Sequence, residues 1–323
     1  MTAFPTLEDH LSDWAGHDVL RNAVCTTLLN LAGAGTEIAR IVQRGPLAGN
    51  MAGVRSNQHG SGDTQKELDV VANELVRSAL EASPVAWMGS EEDEQPQPLN
   101  EGAPLVVNTD PLDGSSNIDT NVSIGTIFSV LPAKGDVPLL QTGRNQLAAG
   151  YIIYGPQTAI ALTVGQGTHL FWLDPHDRTF LLGRANVMIP EGTREFAINA
   201  SNARFWAEPV RAYIDSCVQG AEGPRSANYN MRWIGSLVAD TFRILMRGGV
   251  FLYPGDSRKG YEKGRLRLLY EASPIAMLIE QAGGAATTGT QPVLDVEATA
   301  LHQRAELIFG SKGEVNAIQS YFA

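Results

Sequence analysis

The stretch Asn108-Thr-Asp-Pro-Leu-Asp-Gly-Ser-Ser-Asn-Ile-Asp119 directly follows an apolar segment, 104–107. Its spacing predicts a strand that ends in a tight turn forced by Pro111 and Gly114, with Asp110 and Asp113 at the strand's carboxyl end. Open α/β sheets bind ligands at that end. Two carboxylates at such a turn can converge on a cation, and Pro111 leaves the Leu112 carbonyl free to join them. Carboxylate and carbonyl oxygens suit a hard cation such as Mg²⁺. Gly114, Ser115 and Ser116 then offer amides and hydroxyls, and a helix starting there would present its N-terminus to a phosphate. A lone Asp-x-x-Asp-Gly is a plain surface turn by roughly three to one. The longer string is a different matter, and three further acidic groups bear on it.

Gly89-Ser-Glu-Glu-Asp-Glu94 closes a predicted strand over 85–88. A charge run is usually a solvated face, but if this strand neighbours the 105–107 strand, Glu91 and Glu92 face the Asp110 turn. A helix is predicted over 63–82, with Asp63 as N-cap and Leu68, Val71, Leu75 and Ala79 as its apolar stripe. Asp63 and Asp69 would stand about 240° apart on it. One alone then points into a site, unless the helix starts later and Asp63 belongs to the loop. The fourth group is the Gly-rich basic run Tyr253-Pro-Gly-Asp-Ser-Arg-Lys-Gly-Tyr-Glu-Lys-Gly-Arg, which leads into Leu268-Leu-Tyr-Glu271. Its cations could hold an anionic substrate, although composition alone fits an exposed turn equally well. A carboxylate just after that apolar run is paired, metal-bound or at a helix mouth.

Outward from these motifs, helices are predicted over 20–42, 211–218, 234–247, 274–282 and 313–321, with a Gly/Asn/Ser-rich loop over 45–62. Strands are predicted over 123–131, 148–154, 159–164, 169–173 and 249–253. The nearest thing to a boundary lies at 180–193, which divides the chain into halves 1–185 and 186–323. The fold class is α/β, with mixed sheets covered by helices.

The chain has 323 residues, 43% of them hydrophobic, enough for a sizeable core. A formal net charge of -11 argues against a nucleic-acid or anionic-membrane partner. It also means that an anionic substrate needs local basic groups or bound cations. The two cysteines, Cys25 and Cys217, make no disulfide framework and fit a reduced, cytoplasmic compartment. The first 20 residues carry Glu8, Asp9, Asp13 and Asp18 and no apolar core segment, unlike a signal peptide. No apolar run reaches the ~20 residues of a membrane span. The histidines do not cluster, and no Ser-His-Asp, His-Glu-x-x-His or Gly-x-Gly-x-x-Gly pattern supports covalent nucleophilic catalysis, a zinc hydrolase or a dinucleotide site.

The string Asp110 to Asp119, followed by Ser123-Ile-Gly-Thr-Ile-Phe128, resembles class I fructose-1,6-bisphosphatase. Gly264-Arg-Leu-Arg-Leu-Leu-Tyr-Glu-Ala-Ser-Pro-Ile-Ala276 resembles the second signature of that family. Further matches run in order from about Gly60 to Ser311, among them Gly143-Arg-Asn145, Ile234-Gly-Ser-Leu-Val-Ala-Asp240 and His302-Gln-Arg-Ala305. The short Asp-Pro-Leu-Asp-Gly-Ser element also fits the wider lithium-sensitive phosphatases, inositol monophosphatases included. Arg232, Tyr253 and the second signature speak for the sugar bisphosphatases. The resemblance implies a layered αβαβα sandwich, usually a homotetramer, that hydrolyses the 1-phosphate of a sugar bisphosphate with two or more Mg²⁺ ions per subunit, Mn²⁺ being an alternative.

By the same resemblance, Glu91, Glu92, Asp110, the Leu112 carbonyl, Asp113 and Glu271 bind the metal. Asp69 with Glu92 deprotonates the attacking water, assisted by Asp63. Asp113 and the Gly114, Ser115 and Ser116 amides hold the 1-phosphate, and Asn199, Arg232, Trp233, Tyr253 and Arg265 contact the sugar and 6-phosphate, Arg232 from a neighbouring subunit. Trp233 and Asn202 stand where the family usually has tyrosines, and Arg265 where it has lysine. These departures make sedoheptulose 1,7-bisphosphate a second candidate substrate. Pro104 and Leu105 stand where the family's AMP site has a basic residue and a tyrosine, so AMP is not expected to act through that site.

Overall fold

The computed structural model describes residues 4–49, 53–58 and 64–323. Chain order gives α1 (Leu7–Ala15), α2 (Val19–Arg44), β1 (Val54–Gln58), β2 (Thr64–Lys66), α3 (Glu67–Glu81), β3 (Val85–Ser90), β4 (Gln97–Pro98), β5 (Leu105–Asp113), β6 (Ile124–Pro132), β7 (Ala148–Tyr154), β8 (Thr158–Thr163), β9 (Thr168–Asp174) and β10 (Thr179–Arg184). The second half contributes β11 (Glu195–Ala197), α4 (Glu208–Val218), β12 (Asn230–Met231), α5 (Leu237–Arg247), β13 (Val250–Tyr253), β14 (Leu266–Arg267), α6 (Ser273–Gln281), β15 (Ala285–Thr287), β16 (Arg304–Ala305), β17 (Leu307–Gly310) and α7 (Lys312–Gln319).

Two sheets carry the fold. One has eight strands in the order β10-β9-β8-β7-β6-β5-β3-β4, and the other has five, β12-β11-β13-β17-β15. Strand alternation sends neighbouring residues to opposite layers. Phe128 and Ile152 pack on the side of α1, α2 and α3, while Ile127 and Tyr151 pack on the side of α5 and α6. In the second sheet Phe251 and Phe309 join that same middle layer, and Val250, Leu252 and Ile308 face α4 and α7. The layers are therefore helices, eight-stranded sheet, α5 and α6, five-stranded sheet, and helices again, the αβαβα sandwich. No helix among the described residues is long and apolar enough to cross a membrane.

Several expectations need correction. The helix predicted over 63–82 begins at Glu67, because 64–66 is strand β2, paired antiparallel with β1. That strand β1 lies inside the stretch read as loop. Asp63 is thus not the N-cap, and it lies outside the described residues; the N-cap is Lys66, whose amide donates to Asp69 Oδ2 at 2.6 Å. The strand predicted over 105–107 runs on to Asp113, and α6 is preceded by a π-helical turn, Leu268–Ala272. Helix α1 and strand β10 were not foreseen. Thr6 and Asp9 form a capping box on α1, and Leu7, Leu11 and Ala15 are its buried stripe.

Candidate active site

β3 and β5 are parallel neighbours, with Met88 opposite Val107 and Ser90 opposite Thr109. Their carboxyl ends therefore lie side by side, as the reading of Glu91 and Glu92 required. The Glu91 amide continues the ladder, donating to the Thr109 carbonyl at 3.1 Å.

On β5 the ladder breaks. Asp110 pairs with Ile127 and Asp113 with Gly125, so three steps on β5 match two on β6. Pro111 cannot donate to a ladder, and the extra residue forms a bulge there. In a regular strand residues three apart point to opposite faces. The bulge shifts the phase by one residue and turns both carboxylates to the same place. Thr126 Oγ1 donates to the Pro111 carbonyl at 2.8 Å, and the Leu112 amide donates to Asp110 Oδ1 at 3.0 Å, which fixes the bulge from both sides. The Leu112 side chain is buried in the layer under α3. Gly114 follows with φ 82°, a left-handed turn that glycine adopts without strain, and opens a short 3₁₀ helix, Ser115–Thr120. Its first amides have no acceptor within that helix. Ser115 is half-buried and Ser116 exposed.

Glu271 arrives from the second half of the chain on the π-helical turn, a feature that often marks functional sites. Its Oε2 accepts from the Arg267 amide at 2.5 Å. One carboxylate oxygen each from Asp110, Asp113 and Glu271 lies within 4.8 Å of the others, and all three residues are buried. Glu91 stands beside this trio, hydrogen-bonded to Asp110 and ion-paired with Arg267 at 3.2 Å. Two unit charges 4.8 Å apart repel by roughly 3 kcal/mol at an effective dielectric of ~20. The trio cannot stay fully ionised without a cation. Burial first, and repulsion from neighbouring acids after it, raises the Asp110 and Glu271 carboxyls well above the carboxylate range. Asp113 is pushed up to about 7 by burial, despite a stabilising bond from the Val238 amide. An all-oxygen donor set that is short of positive charge fits Mg²⁺ or Mn²⁺ in kind.

The Val238 amide, in the first turn of α5, donates to Asp113 Oδ2 at 3.3 Å. It reaches this far because residue 125 is glycine. A Cβ there would meet the Ile152 carbonyl at 2.6 Å and the Val238 side chain at 2.7 Å. On the opposite side, α3 faces the acidic loop. Asn73 Oδ1 accepts from Ser90 Oγ at 2.8 Å, and Ser90 Oγ accepts from the Glu92 amide at 3.1 Å. Asp69, one turn before Asn73, is buried at 2% exposure.

A second cleft opens on the five-stranded sheet. Asn199, Asn202, Tyr253, Arg258, Tyr261 and Arg265 line it. Arg258 is ion-paired with Asp256 and lies over Tyr261, and Arg265 lies over the same ring at 5.1 Å. Tyr253 feels both Arg265 and Glu271, which ties this cleft electrostatically to the acid trio; burial holds its hydroxyl protonated. Trp233 does not line the cleft. It stacks on Phe251 at 5.5 Å and leans on Tyr253 at 6.2 Å, so it backs the cleft wall. Nor does Arg232, which is half exposed and lies 3.5 Å from Glu195. Sequence reasoning singled out neither Tyr261 and Arg258 nor the supporting groups Asn73, Arg267 and Tyr270. The first two sat in the basic run that reads equally well as a surface turn.

A family model described as "Fructose-1-6-bisphosphatase, N-terminal domain" matches residues 15–185, and one described as "Fructose-1-6-bisphosphatase, C-terminal domain" matches 189–323. A protein of Azorhizobium caulinodans named fructose-1,6-bisphosphatase class 1 is 55% identical, covering 98% of this chain and 99% of its own. One from Xanthobacter autotrophicus with a like name is 51% identical over the whole of both chains. Among solved structures, the holo form of Leishmania major fructose-1,6-bisphosphatase superposes with a TM-score of 0.92 at 33% identity, covering 99% of each chain.

Proposed function

The chain belongs to the fructose-1,6-bisphosphatase family, and from that premise we propose that it hydrolyses the 1-phosphate of fructose 1,6-bisphosphate, yielding fructose 6-phosphate and inorganic phosphate. The observation that carries this reading is the buried trio Asp110, Asp113 and Glu271, with oxygens within 4.8 Å of one another. A fold gains nothing from three adjacent buried acids unless a cation joins them.

Asp110, Asp113, Glu271, Glu91, Glu92 and the Leu112 carbonyl would hold the divalent cations. Bound there, the cations supply positive charge that polarises water and offsets charge on the phosphate. The protein's own groups do the rest. The Gly114, Ser115 and Ser116 amides orient the 1-phosphate, and the Val238 amide keeps Asp113 turned toward it. Asp69 takes the proton of the attacking water, with Glu92 and Asp63 assisting. Its backbone tie to Lys66 fixes the carboxylate while leaving it a base. Asn199, Tyr253 and Arg265 grip the sugar and 6-phosphate, with Trp233 stiffening the Tyr253 ring from behind. Arg232, half exposed beside Glu195, reaches a neighbouring copy's site in a homotetramer. The enzyme works in the cytoplasm, in carbohydrate metabolism, on a small sugar phosphate with no nucleic acid or membrane partner.

The test is phosphate release from fructose 1,6-bisphosphate, sedoheptulose 1,7-bisphosphate and inositol 1-phosphate, with Mg²⁺ present. Fructose 1,6-bisphosphate should be cleaved with the highest kcat/KM and leave fructose 6-phosphate. Preference for inositol 1-phosphate would overturn the reading.

A further inference from the structure

The acids draw on three stretches of chain: β5 carries Asp110 and Asp113, the loop after β3 carries Glu91 and Glu92, and the π-helical turn before α6 carries Glu271. One further side chain touches the last two. His302 Nε2 lies 3.0 Å from the Asp93 carbonyl oxygen, and His302 Nδ1 lies 2.9 Å from the Tyr270 hydroxyl. Asp93 follows Glu91 and Glu92; Tyr270 precedes Glu271.

The chemistry of the partners fixes the tautomer. A carbonyl oxygen only accepts, so Nε2 carries the proton. Nδ1 of that neutral ring is an acceptor and takes the Tyr270 O–H. The ring thus spans from one acid-bearing segment to the other without using a carboxylate. Another tie between them is the Arg267–Glu91 ion pair at 3.2 Å. That pair occupies a carboxylate that a cation would claim, so it competes with cation binding. The histidine bridge does not.

We propose that His302 is a positioning residue that braces the Glu91–Glu92 loop against the Glu271 turn and holds the acids at the separation a divalent cation requires. The inference rests on reading the trio as a cation site. With no cation bound, whichever acids stay ionised repel one another, and the brace resists that push. It keeps the site formed in advance, so that binding a cation does not have to draw the two segments together.

The test uses Mn²⁺ binding to the full-length protein, read as free Mn²⁺ by electron paramagnetic resonance with no substrate present. Wild type binding no Mn²⁺ would sink the cation-site reading itself. With wild type binding, His302→Ala should weaken Mn²⁺ affinity about tenfold to a hundredfold. Tyr270→Phe, which removes one hydroxyl and keeps the buried ring, should weaken it to a similar degree. The double variant should lose little more than either single one, because both cut the same bridge. His302→Gln, whose amide offers a donor nitrogen and an acceptor oxygen, should regain most of the loss. Should His302→Ala fail to fold, Tyr270→Phe decides alone. Mn²⁺ affinity unchanged within twofold in a folded variant, whatever happens to its melting temperature, would show that the bridge is only structural.

Discussion

The acid-bearing half of the site and the cleft on the five-stranded sheet are built in opposite ways. Asp110, Asp113 and Glu271 are buried, crowded and short of positive charge, and a bulge, a π-helical turn and an α5 amide hold them in place. The cleft around Asn199, Tyr253 and Arg265 is partly open, and its arginines lie over Tyr261. Chemistry needs groups fixed to within about half an ångström. Gripping a sugar phosphate tolerates more play, because long side chains can follow the ligand. Substitutions in the first region should therefore act on turnover and metal binding, and those in the second on substrate affinity.

The largest effect should come from Asp113→Ala. It removes a carboxylate shared by the acid cluster and the α5 N-terminus, and kcat/KM should fall by roughly four orders of magnitude or more, the scale of losing a whole catalytic group. Steady-state kinetics at saturating Mg²⁺ measures it; a loss under tenfold would mean that the cluster is not where the reaction occurs. Asp69→Asn keeps the shape and can still accept the Lys66 amide, but it cannot take a proton. Its kcat should drop by about 10²–10⁴ while KM moves little. In the cleft, Arg265→Ala removes a charge-assisted contact worth about 1.5–3 kcal/mol. KM for fructose 1,6-bisphosphate should rise roughly tenfold to a hundredfold with kcat nearly kept. If kcat collapses instead, the two regions do not divide the work as described.

A smaller effect concerns pH and separates the regions without mutation. Asp113 titrates at about 7 in the fold, against 3.8 as its ordinary value. The folded state therefore holds a proton that the unfolded chain has lost. That stability is complete below 3.8 and disappears as pH rises through about 7. Chelated protein should be penalised most at pH 8. Adding Mg²⁺ should raise the melting temperature by more at pH 8 than at pH 6.5, because protons compete with the cation at the lower pH. Equal increments at both pH values would remove the trio as the cation site. The cleft predicts no such dependence.

Legibility followed the same division. The Asp110 string was readable because two of the clustered acids, the bulge-forming proline and the left-handed Gly114 are nearly consecutive in the chain, so local chemistry declares them together. The pairing of β3 with β5 could be posed from two apolar runs ending in acids, and the fold answers it. The start of α3 was not readable, because 64–66 becomes a strand only by pairing with β1, a contact that no local pattern announces. Helix α1 could have been found from its Thr6–Asp9 capping box. The cleft was harder. Tyr253, Tyr261 and Arg265 belong to one run that in sequence looks like a charged surface turn, and only the folded second half brings Asn199 to them. His302 stood within a family match but drew no role, because the histidines do not cluster and its contacts are with a backbone carbonyl and a phenol.

The most direct measurement is phosphate release from fructose 1,6-bisphosphate as Mg²⁺ is titrated into chelator-stripped protein. No turnover is expected without the ion, saturable recovery with it, and recovery by Mn²⁺ as well. Full activity persisting in excess chelator would contradict that expectation.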